Sequence, residues 1–285
     1  MMKLYYLGKS NNFGDAINYQ LFTQLYGQRV KRNRYYRADY AAIGSILGKF
    51  FYDPARSRLS RQNLKKSIFS YCYGQSPVTV LGSGLIEDLS AIADKLVLSR
   101  TLDIRALRGA KTLAVMQNVM SDELNQVVLG DPGLLVNRLF DGAKIKKRFR
   151  LGIIPHYADF DSPLLHSYRD DSDVALIDIK GPAQEFMKVV NECELIASSS
   201  LHGLVVADSF GVPAVWIRLS DAITGGDYKF LDYFSSLGIE RSCNDLRKDI
   251  EFLNRLSNTD GREVDKSVLA SVTKQLDSAL SRALR

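Results

Sequence analysis

Cysteine is scarce: the residues at 72, 193 and 243 stand far apart with no C-x-x-C spacing, which supports neither a disulfide framework nor a zinc site. That usage fits a reducing, cytoplasmic compartment. Histidine is equally rare. Positions 156, 166 and 202 form no H-x-x-x-H or H-E-x-x-H pair, so no metal is expected. No apolar run approaches the roughly 18 residues of a spanning helix. The opening apolar stretch is too short for a secretory signal, runs straight into Lys9 and Ser10, and reads as a first strand. Walker loop, G-x-G-x-x-G fingerprint and G-x-S-x-G elbow are all missing, the last arguing against a serine hydrolase. No nucleic-acid-binding module is recognisable, and nucleic acid ranks last among partners.

What is present is an ordinary globular composition, 46% apolar and 25% charged over 285 residues, a length suited to two layered domains. The net charge of +6 is lopsided: residues 1–142 carry an excess of eight positive charges and residues 143–285 an excess of two negative ones. The basic excess gathers at Arg29 to Arg34 and Arg56 to Lys66. It suits phosphorylated substrates or an anionic membrane face, although a solvated surface explains any one run equally well.

Short apolar runs alternate with stretches of helical spacing. Strands are expected at 4–7, 40–43, 79–81, 127–129, 151–154, 174–179, 195–197 and 214–218. Helices are expected at 17–26, 88–97, 111–119, 183–192, 201–209, 228–237 and 245–256. Val264, Val268, Val272, Leu276 and Leu280 recur every four residues as the buried stripe of a last helix. This pattern predicts an α/β chain of two Rossmann-like domains with parallel sheets, 1–142 and 143–285, with ligands held between them. The C-terminal helical tail is expected to pack back at the seam.

The densest chemistry follows the strand ending near Ala197. Ser198, Ser199 and Ser200 lead into Leu201, His202 and Gly203, where a new helix begins. Free amides and the dipole at a helix start, beside hydroxyls and an imidazole, describe an anion pocket. Asn12, Gly14 and Asp15 sit where the first strand meets the first helix. A turn with an N-cap accounts for them, and Asp15 also qualifies as a base for a sugar hydroxyl. Ser45 follows Gly44, and Ser83 lies between Gly82 and Gly84, each closing a strand at the same sheet edge. Arg105 and Arg108 suit carboxylates or phosphates, as does Arg218 at another strand end. His156 and Tyr157 follow the strand 151–154, whereas Trp216 reads as core and His166 as an inert loop residue.

The set Asn12, Phe13, Gly14 and Asp15, then Gly82 to Gly84, Arg108 with Gly109 and Thr112, Gly130 to Pro132, and Ser198 to Gly203 resembles the polysaccharide pyruvyl transferase family. The runs 215–221 and 226–230 further resemble members acting on bacterial exopolysaccharide repeat units. The resemblance implies a two-domain, GT-B-like fold, phosphoenolpyruvate as co-substrate with no cofactor, and a pyruvate ketal on two hydroxyls of one sugar, with phosphate released. It ties His202 to the donor, with Ser198, Ser199, Ser200 and Gly203. Their place at the strand ends leaves Asn12, Gly14, Asp15, Ser45, Ser83, His156 and Tyr157 to the acceptor, and the basic first half suggests that this acceptor is carried on a lipid diphosphate, with peripheral association at the inner membrane face. Many members carry Arg directly before Leu-His-Gly where this chain has Ser200, so the cation is expected from Arg105, Arg108 or Arg218. Two rivals share the architecture: a GT-B glycosyltransferase or nucleotide-sugar epimerase, and a non-catalytic sugar- or anion-binding protein.

Overall fold

The computed structural model describes residues 1–7, 12–54, 76–120, 124, 126–249, 251–257 and 259–285. The basic run at 56–66 and Cys72 lie outside the described residues.

Residues 2–129 supply a six-stranded, wholly parallel sheet in the order β2-β1-β3-β5-β7-β8. Its strands are β1 (Met2–Tyr5), β2 (Val30–Asn33), β3 (Tyr40–Ala41), β5 (Val78–Ser83), β7 (Leu102–Leu107) and β8 (Val128–Leu129). A two-stranded antiparallel ribbon, β4 (Phe51–Tyr52) with β6 (Val97–Leu98), stands beside it. Residues 149–245 form a second parallel sheet, β10-β9-β11-β12-β13. Here the strands are β9 (Phe149–Ile154), β10 (Val174–Leu176), β11 (Cys193–Ser198), β12 (Ala214–Arg218) and β13 (Cys243–Asp245). Leu151, Ile153, Ile154, Leu195, Ile196 and Ala197 are all buried, the continuous apolar pattern of a sheet covered on both faces. This is the two-sheet, Rossmann-like α/β architecture expected.

The helices are α1 (Phe13–Gln20), α2 (Ala110–Met120), α3 (Ala183–Glu192), α4 (Leu201–Phe210), α5 (Tyr228–Leu237), α6 (Phe252–Arg255) and α7 (Lys266–Ala283). Asn12 caps α1 by accepting from the Asp15 amide at 3.1 Å. Helices α4 and α5 both stop at a glycine in the left-handed region, Gly211 (φ 66°) and Gly238 (φ 63°), where other residues would be strained. α7 leaves the second sheet and packs on β5, β7 and β8 of the first. Leu276 and Leu280 are fully buried there, and Leu276 lies so near Gly130 that a Cβ would sit 2.7 Å from its Cδ1.

Three expectations fail locally. The helix expected at 88–97 is a 3-10 turn, Ser90–Lys95. Of the helix expected at 245–256, only the four residues of α6 are helical among the described residues, and Asp245 instead closes the edge strand β13 paired with β12. The segment around Arg105, absent from the expected strands, is the interior of β7. Its register against β5 shifts at Val80/Leu81 and Leu81/Ser83, and that irregularity obscures the alternation.

Each sheet reverses strand order once, between β1 and β3 and between β9 and β11. Parallel α/β sheets open a crevice at such points, beyond the carboxyl ends of the strands. The two crevices meet: the Phe13 amide donates to the Ile179 carbonyl at 2.7 Å, joining the start of α1 to the loop after β10. Below this junction the halves share one apolar core, in which Leu134 to Val136 join Leu204 to Val206.

Candidate active site

At the second switch point, the loops after β9 and β11 are tied together. The Ser199 hydroxyl accepts from the His156 amide at 2.8 Å, and the Ser199 amide donates to the Ile154 carbonyl at 3.1 Å. Ser198 is wholly internal. Its hydroxyl bonds the Ile154 and Ser200 carbonyls, both at 2.9 Å, and receives the Ser200 amide at 3.0 Å. Gly203 must be glycine because a Cβ would lie 2.3 Å from that hydroxyl. Two of the three serines assigned to the donor are thus consumed in building the turn. Ser200 remains at the N-cap of α4 with no capping bond from its side chain. Above it the amides of Leu201 and His202 have no partner among the described residues, the first bonds of the helix being those of Gly203 and Leu204 to the Ser200 carbonyl.

His202 projects from the first turn of α4 onto the first unit. Its ring lies against Gly14, where a Cβ would approach Nδ1 and Cε1 to 2.2 Å. Gly14 is therefore glycine because the imidazole rests on its backbone, which brings the starts of α1 and α4 face to face. The His202 residue keeps part of its surface open, while Nε2 is shut in with no hydrogen-bond partner among the described residues. Burial, then the positive charges of Arg108 and Lys229, hold its pKa down to about 3, so the resting imidazole is neutral. His156 is held down to about 4 by burial, Lys229 and Lys180. It stacks on Tyr157 with ring centroids 4.2 Å apart, and Lys180 caps the Tyr157 face at 5.1 Å.

Lys229, which lies in the run 226–230 but is not among the site residues read from the sequence, contributes to the low pKa of both histidines. Only 8% of its surface is exposed, and burial pulls its pKa down to about 8. Its amine lies 5.4 Å from the centre of the Phe230 ring, which itself stacks on Trp216 at 4.7 Å. No carboxylate pairs with it among the described residues. Helix α5 is held in place from one turn further on. The Asp232 carboxylate takes Arg108 Nε at 2.9 Å and the Thr112 hydroxyl and amide at 2.7 and 2.8 Å, all across the seam. A Cβ on Gly109 would strike the Asp232 carbonyl, and one on Gly84 would come within 2.5 Å of Arg108 Cζ.

These contacts correct several sequence assignments. Arg108 is 0% exposed, and its remaining nitrogens reach the Ser45 hydroxyl (2.6 Å) and the Leu85 carbonyl (2.5 Å). It therefore fastens the two halves with no surface left open to a ligand, and Ser45 is occupied in supporting it. Ser83 is buried and donates to the Gly44 carbonyl at 2.8 Å. Arg105 is an exposed strand residue paired with Asp103 at 2.9 Å. Arg218 is paired with Asp227. With Trp216, Ser220, Asp221 and Phe230 it lines a pocket of about 290 Å³ beyond β12. The arrangement brings together Asn12, Gly14 and Asp15 from the first unit with Ser199, Ser200, His202, Gly203 and His156 from the second; Tyr157 stands exposed at the rim.

A profile of the polysaccharide pyruvyl transferase family matches residues 9–221, well over half of the chain and inclusive of every one of these turns. The chain belongs to that family. Its relatives include an uncharacterized protein, L143, of Acanthamoeba polyphaga mimivirus, 32% identical over 192 residues that cover 63% of this chain and 65% of that protein. Another is the Succinoglycan biosynthesis protein ExoV of Rhizobium meliloti (strain 1021), 25% identical over 239 residues, 84% of this chain and 66% of that one. The chain thus spans just under two thirds of the length of either relative. The matched range takes in the glycine turns and His202 and ends before Lys229 and Asp232 on α5.

Proposed function

We propose that the protein is a polysaccharide pyruvyltransferase that moves the pyruvyl group of phosphoenolpyruvate onto two hydroxyls of one sugar and releases phosphate. Family membership supports the reaction class, and the name of ExoV supports a polysaccharide context. The observation that carries the donor is the start of α4. Two amides without a partner among the described residues, the Ser200 hydroxyl and His202 converge there, and Lys229, over Phe230 and next to the strand in register with Ser198, adds positive charge suited to a trianion.

The chemistry needs one acid and one base. Protonation of the methylene carbon of phosphoenolpyruvate makes C2 electrophilic, and a sugar oxygen bonds to C2 as its proton passes to a base. The second hydroxyl oxygen then bonds to C2 while the C2–O bond to phosphate breaks, and its proton leaves with the phosphate. Donor and both hydroxyls are thereby converted to ketal and phosphate with no redox step. His202 is neutral at rest; a dianionic phosphate against it raises its pKa, and it enters the reaction charged, as proton donor. Asp15, next in sequence to Gly14 in the first turn of α1, is assigned as the base. Free amides at α4 meet the phosphate or carboxylate without having to reorganise. The acceptor enters from the first unit, past Asn12 and His156. The basic edge strand β2 favours an acceptor carried on a lipid diphosphate, with the protein resting on the membrane face. No helix among the described residues is long and apolar enough to cross a membrane.

The test is phosphate release from phosphoenolpyruvate with a panel of sugar acceptors, with mass spectrometry for a pyruvyl adduct. Acceptor-dependent phosphate release and the adduct are expected. Turnover of a nucleotide sugar, with phosphoenolpyruvate left intact, would replace this reading by glycosyl transfer.

A further inference from the structure

The donor reading leaves a charge unbalanced. Phosphoenolpyruvate brings up to three negative charges to a site in which the arginines first considered are all committed. Arg108 is sealed in the seam with Asp232, Arg218 is paired with Asp227, and Arg105 with Asp103. Lys180 is exposed and lies over the Tyr157 ring. Lys229 is the exception. More than nine-tenths buried, it has no carboxylate partner among the described residues. Its amine lies over Phe230, whose ring stacks on Trp216, the β12 residue in register with Ser198 at the end of β11, so the charge sits on the side of the sheet end where α4 begins. A lone cation in such a place destabilises the resting fold, and native proteins keep few without a use. The helix that carries it is pinned one turn later by Asp232, at the i+3 position and therefore on the same face, so the amine is presented from a rigid element.

We infer that Lys229 is the donor-site cation, its amine bonding the phosphate of phosphoenolpyruvate opposite the free amides of α4. This rests on the donor reading above and names a residue for it. Two consequences follow from the geometry. Burial holds both imidazoles uncharged, and the Lys229 charge adds to that hold until an anion arrives, since like charges disfavour protonation. Once bound, the anion cancels the Lys229 charge and His202 gains its proton. Charge neutralisation and the arming of the acid are then one event.

The experiment compares the full chain with Lys229→Met, which keeps the length of the side chain and removes only the charge. Calorimetry measures binding of phosphoenolpyruvate and, separately, of inorganic phosphate. Histidine C–H signals are followed by NMR as a function of pH. With only three histidines in the chain the spectrum is small, and exposed His166 serves as the internal reference. The charged groups facing His202 are Arg108 and Lys229, and those facing His156 are Lys180 and Lys229.

Expected for Lys229→Met are at least tenfold weaker binding of both anions, upward movement of the His156 and His202 midpoints with His166 unmoved, and a melting temperature equal to or above that of the wild type. Lys229→Arg should recover part of the binding. Wild-type protein that binds phosphoenolpyruvate while Lys229→Met binds it equally well overturns the Lys229 assignment alone. A fall in melting temperature together with the binding loss also overturns it, since that marks a structural lysine. Wild-type protein that binds neither anion defeats the donor reading itself and this inference with it.

Discussion

Asp232→Ala should weaken the whole molecule more than most single changes, and the structure says by how much. Asp232 and Arg108 are both 0% exposed, and their pair spans the two sheets. The carboxylate accepts three bonds: from Arg108 Nε at 2.9 Å, the Thr112 hydroxyl at 2.7 Å and the Thr112 amide at 2.8 Å. The last caps α2 from another part of the chain. Truncation leaves a buried guanidinium with only the Ser45 hydroxyl and the Leu85 carbonyl. Breaking such a pair costs about 3–5 kcal/mol, because the remaining charge stays buried. For a chain of this size that lowers the melting temperature by on the order of 10 °C. Thermal denaturation followed by circular dichroism measures it. The double replacement Arg108→Met with Asp232→Leu should regain much of the loss, short of about 1 kcal/mol for the missing cap on α2. A single variant that melts within about 2 °C of the wild type, or a double variant that loses the sum of both singles, refutes this account of the seam.

Gly14→Ala should displace the His202 ring, because its Cβ would stand 2.2 Å from Nδ1. Turnover should fall roughly 100-fold for a misplacement of about 1 Å, with a stability cost of about 1–3 kcal/mol, read by phosphate release and by urea midpoint. His202→Ala should lose far more turnover than His166→Ala, whose side chain is exposed; equal losses would remove His202 from the mechanism. Burial pushes the Asp131 carboxyl up to about 6, above its unfolded range near 3.9. The folded state therefore holds the extra proton between about pH 4 and 6, and stability drains away as pH rises through that window. Asp131→Asn keeps an oxygen for the Gly133 amide, so urea midpoints should favour the variant increasingly from pH 4 to 6, by up to roughly 3 kcal/mol, and hold that lead above pH 6.

The sheets and most helices were legible because their strands are buried on both faces and read as short apolar runs. His202 was legible for a similar reason: a strand, a polar turn and an apolar helix in succession place it at a carboxyl edge whatever the fold's details. What failed has physical causes. The serines at 198 and 199 look like ligand donors in one dimension, yet a tight turn after a buried strand needs its own acceptors, and both hydroxyls go to that task. Arg108 looks like a surface fork until the chain is closed, when a carboxylate 124 residues away meets it. Lys229 was overlooked because a lysine in a helix is ordinarily a solvated one. Only the packing of that helix, through Phe230, on Trp216 of β12, and the seam beyond it, show that this one is enclosed.

The last helix has a consequence for how the protein is made. α7 lies against β5, β7 and β8, its Asp277 bonded to Tyr26 and to Arg138. The sheet that leaves the ribosome first therefore waits, with one flank uncovered, for a segment translated after the other sheet is complete. Scission at the linker between the sheets would not yield two independent halves, since the early half would lack its lid and the late half would carry a stray amphipathic rod.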